Sequence, residues 1–245
     1  MGQITKQENE KRKAAKREAK AQKRENRRLA KAGERPENVR SEIIHFLIVC
    51  EGEKTEPNYF KSLVANDKYS RVIDIEAEII GGAKCTISLV NEAEKIYDNS
   101  VIKPDRVWVV FDKDDFKDFN EAIQLCIQKG FNAGWTNEAF ELWYYLHFEY
   151  LDTSISRHDY IKKIESFITE KKEYENFKYK KNDEAFYKEV LSNIGDEQNA
   201  KKYASKLREL FKNEIDSGNY TKAKPCTTID ILVEELHHPE KLLEE

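Results

Sequence analysis

The chain from residue 43 to residue 49 reads IIHFLIV, a run of β-branched and other apolar side chains interrupted only by His45. Such a run is typical of a β-strand buried on both faces, as the strands of parallel sheets are. A short acidic turn at 50–53 follows, and the next residues predict a helix over 57–64 with Pro57 in its first turn, where proline is tolerated. The stretch therefore predicts the first strand–helix unit of an α/β fold.

The same alternation continues along the chain. It predicts further strands over 72–80, 106–111 and 131–135, with helices over 87–97 and 119–128 between them. Strands that alternate with helices form right-handed βαβ units, so we expect a mostly parallel four-stranded sheet flanked by helices. Beyond residue 137 the spacing is helical, over 139–148, 160–168, 184–194, 199–215 and 228–236. We predict an α/β core over 41–136 and a helical C-terminal region over 137–245 packed on it.

The N-terminal 40 residues differ from the rest in charge. They carry 14 Lys and Arg against 6 Asp and Glu, whereas the other 205 residues carry 28 against 40. Residues 1–34 have almost no large apolar side chains with which a helix could dock, so residues 1–40 are predicted to be a mobile basic arm. Such a segment suits contact with a nucleic-acid backbone, which needs no sequence preference. A docking peptide for a partner protein is the alternative.

Several classes of protein are disfavoured by composition. No apolar run approaches the ~20 residues that cross a bilayer, and the charged N-terminus lacks the apolar stretch of a signal peptide. We therefore expect a cytoplasmic protein with no membrane partner. The four cysteines lie far apart without a CxxC pair, so we expect reduced and mostly buried thiols rather than disulfides or structural zinc; they are Cys50, Cys85, Cys126 and Cys226.

Acidic residues follow two of the predicted strands. The strand at 43–49 runs into Glu51, and the strand at 106–111 runs into Asp112 and Asp114. Ligands of open α/β sheets gather at the carboxyl ends of the strands, and carboxylates that converge there repel one another unless a cation lies between them. Oxygen ligands suit Mg²⁺ or Mn²⁺, an ion that can neutralise a phosphodiester and position a nucleophile.

Other residues near these strand ends are candidates for the same site. Lys54 is a candidate to steady a substrate phosphate, and Glu53 and Asp115 are possible further ligands. Glu56 is a possible ligand, or else a first-turn acid favoured by the helix dipole. Glu141 lies within an apolar helix, where an unpaired carboxylate is costly. It has a role in the site or is the buried partner of an Arg or Lys.

A glutamate–glycine pair after an apolar strand, followed by a strand that ends in Asp-x-Asp, resembles the signature of Toprim domains. These domains occur in topoisomerases, bacterial primases and OLD-type nucleases. The resemblance implies that Glu51 acts as general acid or base and is also a metal ligand. It further implies that Asp112 and Asp114 hold Mg²⁺.

Three blocks of the chain resemble the RloB family more closely. They are 48–60 (IVCEGEKTEPNYF), 137–143 (NEAFELW) with 146–148 (LHF), and 225–228 (PCTT). RloB proteins are encoded at restriction-linked defence loci, often beside an ATPase. The resemblance implies a metal-dependent nuclease that cleaves RNA, with tRNA possible, or DNA in phage defence together with a partner ATPase. The family often has a small residue and Pro where this chain has Glu138 and Ala139, so the turn at this point is expected to differ.

Two other functions are compatible with the same residues. One is a non-catalytic Toprim-like module that binds nucleic acid or regulates an ATPase, and the other is phosphoryl transfer on a nucleotide. Several further side chains are predicted to have structural rather than functional roles. We expect core positions for Phe140, Trp143, Tyr144, Tyr145 and His147, and solvated positions for His237 and His238.

Overall fold

A computed structural model describes residues 43–66, 74–81 and 86–243. Five strands form one sheet in the order β2-β1-β3-β4-β5. The first four strands run parallel and correspond to the predicted ones, while β5 pairs antiparallel with β4. They are β1 (Ile43–Cys50), β2 (Asp74–Gly81), β3 (Arg106–Asp112), β4 (Asn132–Asn137) and β5 (Cys226–Thr227).

The prediction of four strands was wrong by one strand. β5 has only two residues, which is too short for the alternation of apolar and polar side chains that identifies a strand in a sequence. It pairs with Thr136 and Asn137, about ninety positions earlier in the chain, so no local sequence pattern predicts this strand. The fold class, an α/β protein with a mostly parallel sheet flanked by helices, is confirmed.

The predicted helices are present, although several have different bounds. The described residues contain α1 (Thr55–Val64), α2 (Thr86–Asn99), α3 (Phe119–Gln128), α4 (Glu141–Leu146), α5 (Arg157–Thr169), α6 (Ser192–Ile194), α7 (Glu197–Leu210), α8 (Lys212–Asp216) and α9 (Ile229–His237). A π-helical segment, Phe186–Leu191, precedes α6, and the helix predicted over 199–215 is divided at Phe211 between α7 and α8. Short 3₁₀ turns lie at Lys172–Tyr174, Tyr220–Lys222 and Pro239–Leu243. None of the helices in these ranges is long and apolar enough to cross a membrane.

The core lies on both faces of the central strands. Residues 46–50 of β1 are almost fully buried, as the continuous apolar run predicts. α4 is buried on every side, which confirms core positions for its aromatic residues and for Phe140 just before it. Cys50, Cys126 and Cys226 are buried free thiols, as predicted, whereas Cys85 lies outside the described residues.

Of the three histidines with a predicted environment, two are confirmed and one is not. His147 is buried, as predicted, and burial lowers its pKa to about 4. His238 is exposed, also as predicted. The prediction for His237 was wrong, because α9 continues to this residue and packs against α7. Its Nε2 lies 3.1 Å from Glu197 Oε1, and the side chain is buried.

The connections between strands place the predicted site. The chain passes from β1 to β2 on one side and then returns to β3 on the other side of β1. Ligands of doubly wound α/β proteins bind at the carboxyl edge of the sheet where the strand order reverses in this way, here between β1 and β3. The described residues form one compact unit. The predicted arm at 1–40 lies outside them, and the predicted boundary at 136–137 stays a prediction.

Candidate active site

Glu51 connects the carboxyl ends of β1 and β3. Its backbone N–H donates to the carbonyl of Val110 over 2.8 Å, and its Oε2 accepts from the backbone N–H of Asp112 over 3.2 Å. Burial raises the pKa of Glu51 to about 7, the Asp112 N–H opposes this shift, and the charge of Asp114 adds to it. The carboxyl group therefore titrates near neutral pH.

Asp112, the last residue of β3, is buried, and its backbone N–H donates to Glu51. Its Oδ2 accepts a hydrogen bond from the backbone N–H of Phe140 over 3.1 Å and another from Arg157 Nη2 over 3.2 Å. Burial raises the pKa of Asp112 well above its usual range, and the negative charges of Glu56 and Glu141 raise it further. Asp112 and Glu141 both lie within ion-pair distance of the Arg157 guanidinium, so their carboxylates are close enough to repel one another.

Glu56 lies in the first turn of α1, and its side chain is buried. Its Oε2 has no hydrogen-bond partner among the residues that the structure describes. Burial raises the pKa of this carboxyl group, as does the charge of Glu141, while Lys181 lowers it. A Cβ atom added at Gly52 would lie 1.9 Å from Glu56 Oε2, so a side chain at this position would require the Glu56 carboxylate to move.

Arg157, the first residue of α5, joins three of the acids. Its Nη2 lies 3.2 Å from Asp112 Oδ2 and 3.0 Å from Asp114 Oδ1, and its Nε lies 3.4 Å from Glu141 Oε2. Burial alone lowers the pKa of Arg157, but the charges of Glu141, Asp112 and Asp114 raise it overall. Glu141 is thus the buried partner of an arginine, one of its two predicted roles. It also belongs to the same cluster as Asp112, and its Oε1 lies 3.4 Å from the Tyr179 hydroxyl, which donates to it.

Sequence reasoning did not identify Arg157. It follows a polar loop at 152–156 and carries no local motif. The one available signal is indirect, since several acids that are predicted to converge in a partly buried site require a cation.

The structure brings five of the predicted acids into one group, which we call the carboxylate cluster: Glu51, Glu56, Asp112, Asp114 and Glu141. Three other predicted residues lie in the turns that follow β1 and β3 and have exposed side chains: Glu53, Lys54 and Asp115. The Lys54 carbonyl accepts from the Asn58 N–H at the start of α1. Asp114 has a backbone φ of +35°, a conformation that aspartate adopts more readily than most residues.

The chemistry of the carboxylate cluster fits a hard divalent cation. Its donors are all oxygens, neighbouring acids raise the pKa values of Glu51, Glu56 and Asp112, and Glu56 Oε2 is buried without a hydrogen-bond partner among the described residues. Mg²⁺ and Mn²⁺ prefer such donors. With Arg157 among the acids, however, no three His, Cys, Asp or Glu side chains in the described ranges stand close enough together to hold a metal ion. Metal binding therefore requires side chains of the cluster to rearrange.

Fold and site together define an α/β protein with a mostly parallel sheet and a cluster of acidic side chains at its topological switch point. A family model for RloB-like proteins matches residues 46–236. The chain belongs to this family, as the sequence blocks predicted. Comparisons with curated proteins and with solved structures give no match.

Proposed function

We propose that this protein is a metal-dependent nuclease with a Toprim-like core, which cleaves phosphodiester bonds of RNA, with tRNA among the candidate substrates, or of DNA. The observation that carries the proposal is the convergence of Glu51 and Asp112 from neighbouring strand ends, with the pKa of Glu51 raised to about 7. An acid or base that works at neutral pH needs a pKa close to neutrality.

The proposal assigns roles to the residues of the carboxylate cluster. Asp112 and Asp114 would hold Mg²⁺ or Mn²⁺, and Glu51 would take a proton from the attacking water or give one to the leaving oxygen. The bound ion would supply Lewis-acid stabilisation of the charge that develops on the phosphate. Glu56 and Glu141 are candidate further donors, because both lie within the cluster.

Positive charge for a nucleic-acid backbone is present beside the site. The side chains of Lys54, Lys180 and Lys181 are exposed. The Thr55 hydroxyl donates to the Lys181 carbonyl over 2.7 Å, which ties this lysine segment to the start of α1. Lys54 would steady the scissile phosphate, and the other two would contact neighbouring phosphates. The basic segment at 1–40 is a further candidate for contact with the nucleic-acid backbone.

Membership of the RloB-like family supports a role as the effector of a phage-defence system that works with a partner ATPase. To test this role, the protein would be expressed with and without the ATPase encoded beside it and challenged with phage. Protection and fragmented nucleic acid that both require intact Glu51 and Asp112 would support the nuclease and would show whether RNA or DNA is cut.

A direct test compares purified wild type with Asp112→Asn and Glu51→Gln, using labelled RNA and DNA in the presence of Mg²⁺ or Mn²⁺. Asp216→Asn is a matched control, because Asp216 is an exposed acid that pairs with Lys212 on α8. We expect cleavage by wild type and the control, and at least about a hundred-fold loss in the two site variants with nucleic-acid binding retained. Equal cleavage by all four proteins would contradict the proposal.

A second candidate is a non-catalytic module that binds nucleic acid or regulates an ATPase. The observation that favours it is Arg157, which already neutralises Asp112, Asp114 and Glu141. This reading predicts no metal-dependent cleavage by wild type, with or without the ATPase. It also predicts that Glu51→Gln and Asp112→Asn leave protection against phage unchanged.

A further inference from the structure

Resting on the metal site proposed above, we propose that the Arg157 side chain is a tethered competitor of the metal ion. It holds the carboxylate cluster in a self-neutralised state and has to leave Asp112 and Asp114 before a divalent cation binds them. Arg157 would then set the metal affinity of the site, and through it the threshold at which the protein becomes active.

The contacts of the guanidinium carry this inference. A single nitrogen, Nη2, lies between the two predicted metal ligands, at 3.2 Å from Asp112 Oδ2 and 3.0 Å from Asp114 Oδ1. These oxygens are the ones that a shared cation would use. In the described part of the chain, Arg157 is the one cationic side chain within ion-pair distance of this pair. Arginine and metal therefore need the same position.

A second and independent observation indicates that Arg157 does not complete the site. Glu56 Oε2 is buried within the cluster, yet no described residue donates a hydrogen bond to it. A guanidinium presents its donors in one plane; here Nη2 lies between Asp112 and Asp114, whereas Nε lies 3.4 Å from Glu141 Oε2 and makes no hydrogen bond with any described residue. An ion that accepts oxygen ligands from several directions could take this carboxylate as well.

Release of the arginine is mechanically simple. The Arg157 side chain is 31% exposed, so part of it already borders solvent. The N-terminus of α5 is held without it, since the Ser156 hydroxyl accepts from the Asp159 N–H. A change of side-chain rotamer can therefore free the carboxylates while the helix stays in place.

Release without replacement is unfavourable, however. The buried acids would then face one another with no cation among them. Departure of Arg157 and arrival of the metal are thus coupled as an exchange of one cation for another.

Binding of Mn²⁺ alone tests the inference. Free Mn²⁺ would be measured by electron paramagnetic resonance in titrations of wild type, Arg157→Gln and Arg106→Gln. Arg106 is the matched control, because its side chain is similarly exposed and pairs with Glu235 at the opposite end of β3 from Asp112. Loss of the competitor should lower the dissociation constant of Arg157→Gln by about ten-fold or more, the ratio expected when one charge-assisted hydrogen bond no longer has to be broken. Arg106→Gln should bind like wild type.

A nuclear magnetic resonance experiment on wild type needs no altered protein. With assigned arginine Nε–H signals, titration with Mg²⁺ should move the signal of Arg157, while those of Arg106 and Arg208 stay in place. Movement of all three signals alike, or of none under conditions in which Mg²⁺ binds, would overturn the inference.

The outcomes separate this inference from the proposed nuclease. Equal or weaker Mn²⁺ binding by a folded Arg157→Gln would refute the competitor even if wild type cleaves nucleic acid. If Arg157→Gln binds Mn²⁺ more tightly than wild type but neither protein cleaves nucleic acid, the competitor role of Arg157 is supported and the proposed nuclease is refuted. If neither wild type nor Arg157→Gln binds Mn²⁺, both the competitor role of Arg157 and the proposed metal-dependent nuclease are refuted.

Discussion

Glu51 offers a test of the electrostatics of the cluster that does not depend on any substrate. Replacement by glutamine keeps the size of the side chain, and the amide oxygen can still accept from the Asp112 N–H, which is 3.2 Å from Oε2 in the wild type. The substitution therefore removes the charge and little else.

The magnitude follows from the raised pKa. A change from the ordinary 4.5 to about 7 corresponds to about 3 kcal/mol, and partial exposure of the carboxyl group reduces the effect to about 1–2 kcal/mol. Because the pKa is raised in the folded state, ionisation of Glu51 destabilises the fold. This cost is absent below pH 4.5, grows as the pH rises towards 7, and is complete above that value. Glu51→Gln should accordingly stabilise the metal-free protein at pH 8 and leave its stability unchanged at pH 4.

Urea unfolding followed by tryptophan fluorescence, in the presence of a chelator, would measure the free energy of unfolding at the two pH values. Glu53→Gln is the matched control, since Glu53 is an exposed acid of the same turn, and its effect should stay within about 0.5 kcal/mol. A loss of stability in Glu51→Gln at pH 8, or an equal gain at both pH values, would refute the reasoning. Added Mn²⁺ should stabilise wild type more than Glu51→Gln, because a ligand of the folded state raises stability according to its affinity.

Three further substitutions test other parts of the structure. Gly52→Ala should cost about 1–3 kcal/mol of stability in urea unfolding, because the new Cβ would lie 1.9 Å from Glu56 Oε2; unchanged stability would show that this carboxylate moves freely. Tyr59→Phe should cost about 1–3 kcal/mol, because it removes the acceptor 2.8 Å from the buried Trp143 Nε1–H, and a smaller loss would mean that a water replaces the hydroxyl. Lys181→Ala should weaken nucleic-acid binding for all sequences alike and lower the salt-dependence slope by about one, whereas an unchanged slope in fluorescence anisotropy would exclude a phosphate contact.

The part of the site that lies on β1 and β3 could be predicted from the sequence. An apolar run that ends in an acid is a local signal, and the parallel arrangement of strands then places Glu51 and Asp112 at one edge. The backbone alone determines where these two residues lie, so their positions can be predicted without knowledge of the surrounding side chains.

The residues that complete the site could not be predicted in this way. Arg157 is 45 positions from Asp112, and Tyr179 is 38 positions from Glu141, so their contacts depend on how the C-terminal helices pack on the sheet. Glu141 was predicted only as two alternatives, since burial of an acid within a helix does not say which cation approaches it. For β5, two residues are too few for any periodic pattern.

The position of β5 has a consequence for the order of events during synthesis. Thr228 accepts from the Trp135 N–H, and Thr227 donates to the Trp135 carbonyl, so the edge of β4 is completed by residues that the ribosome adds about ninety positions later. Glu141, a member of the carboxylate cluster, likewise follows Glu51 and Asp112 in the chain. A growing chain therefore carries the first acids of the carboxylate cluster before the site is complete. For a protein proposed to cut nucleic acid, this delay would protect the messenger and ribosomal RNA that surround each nascent chain.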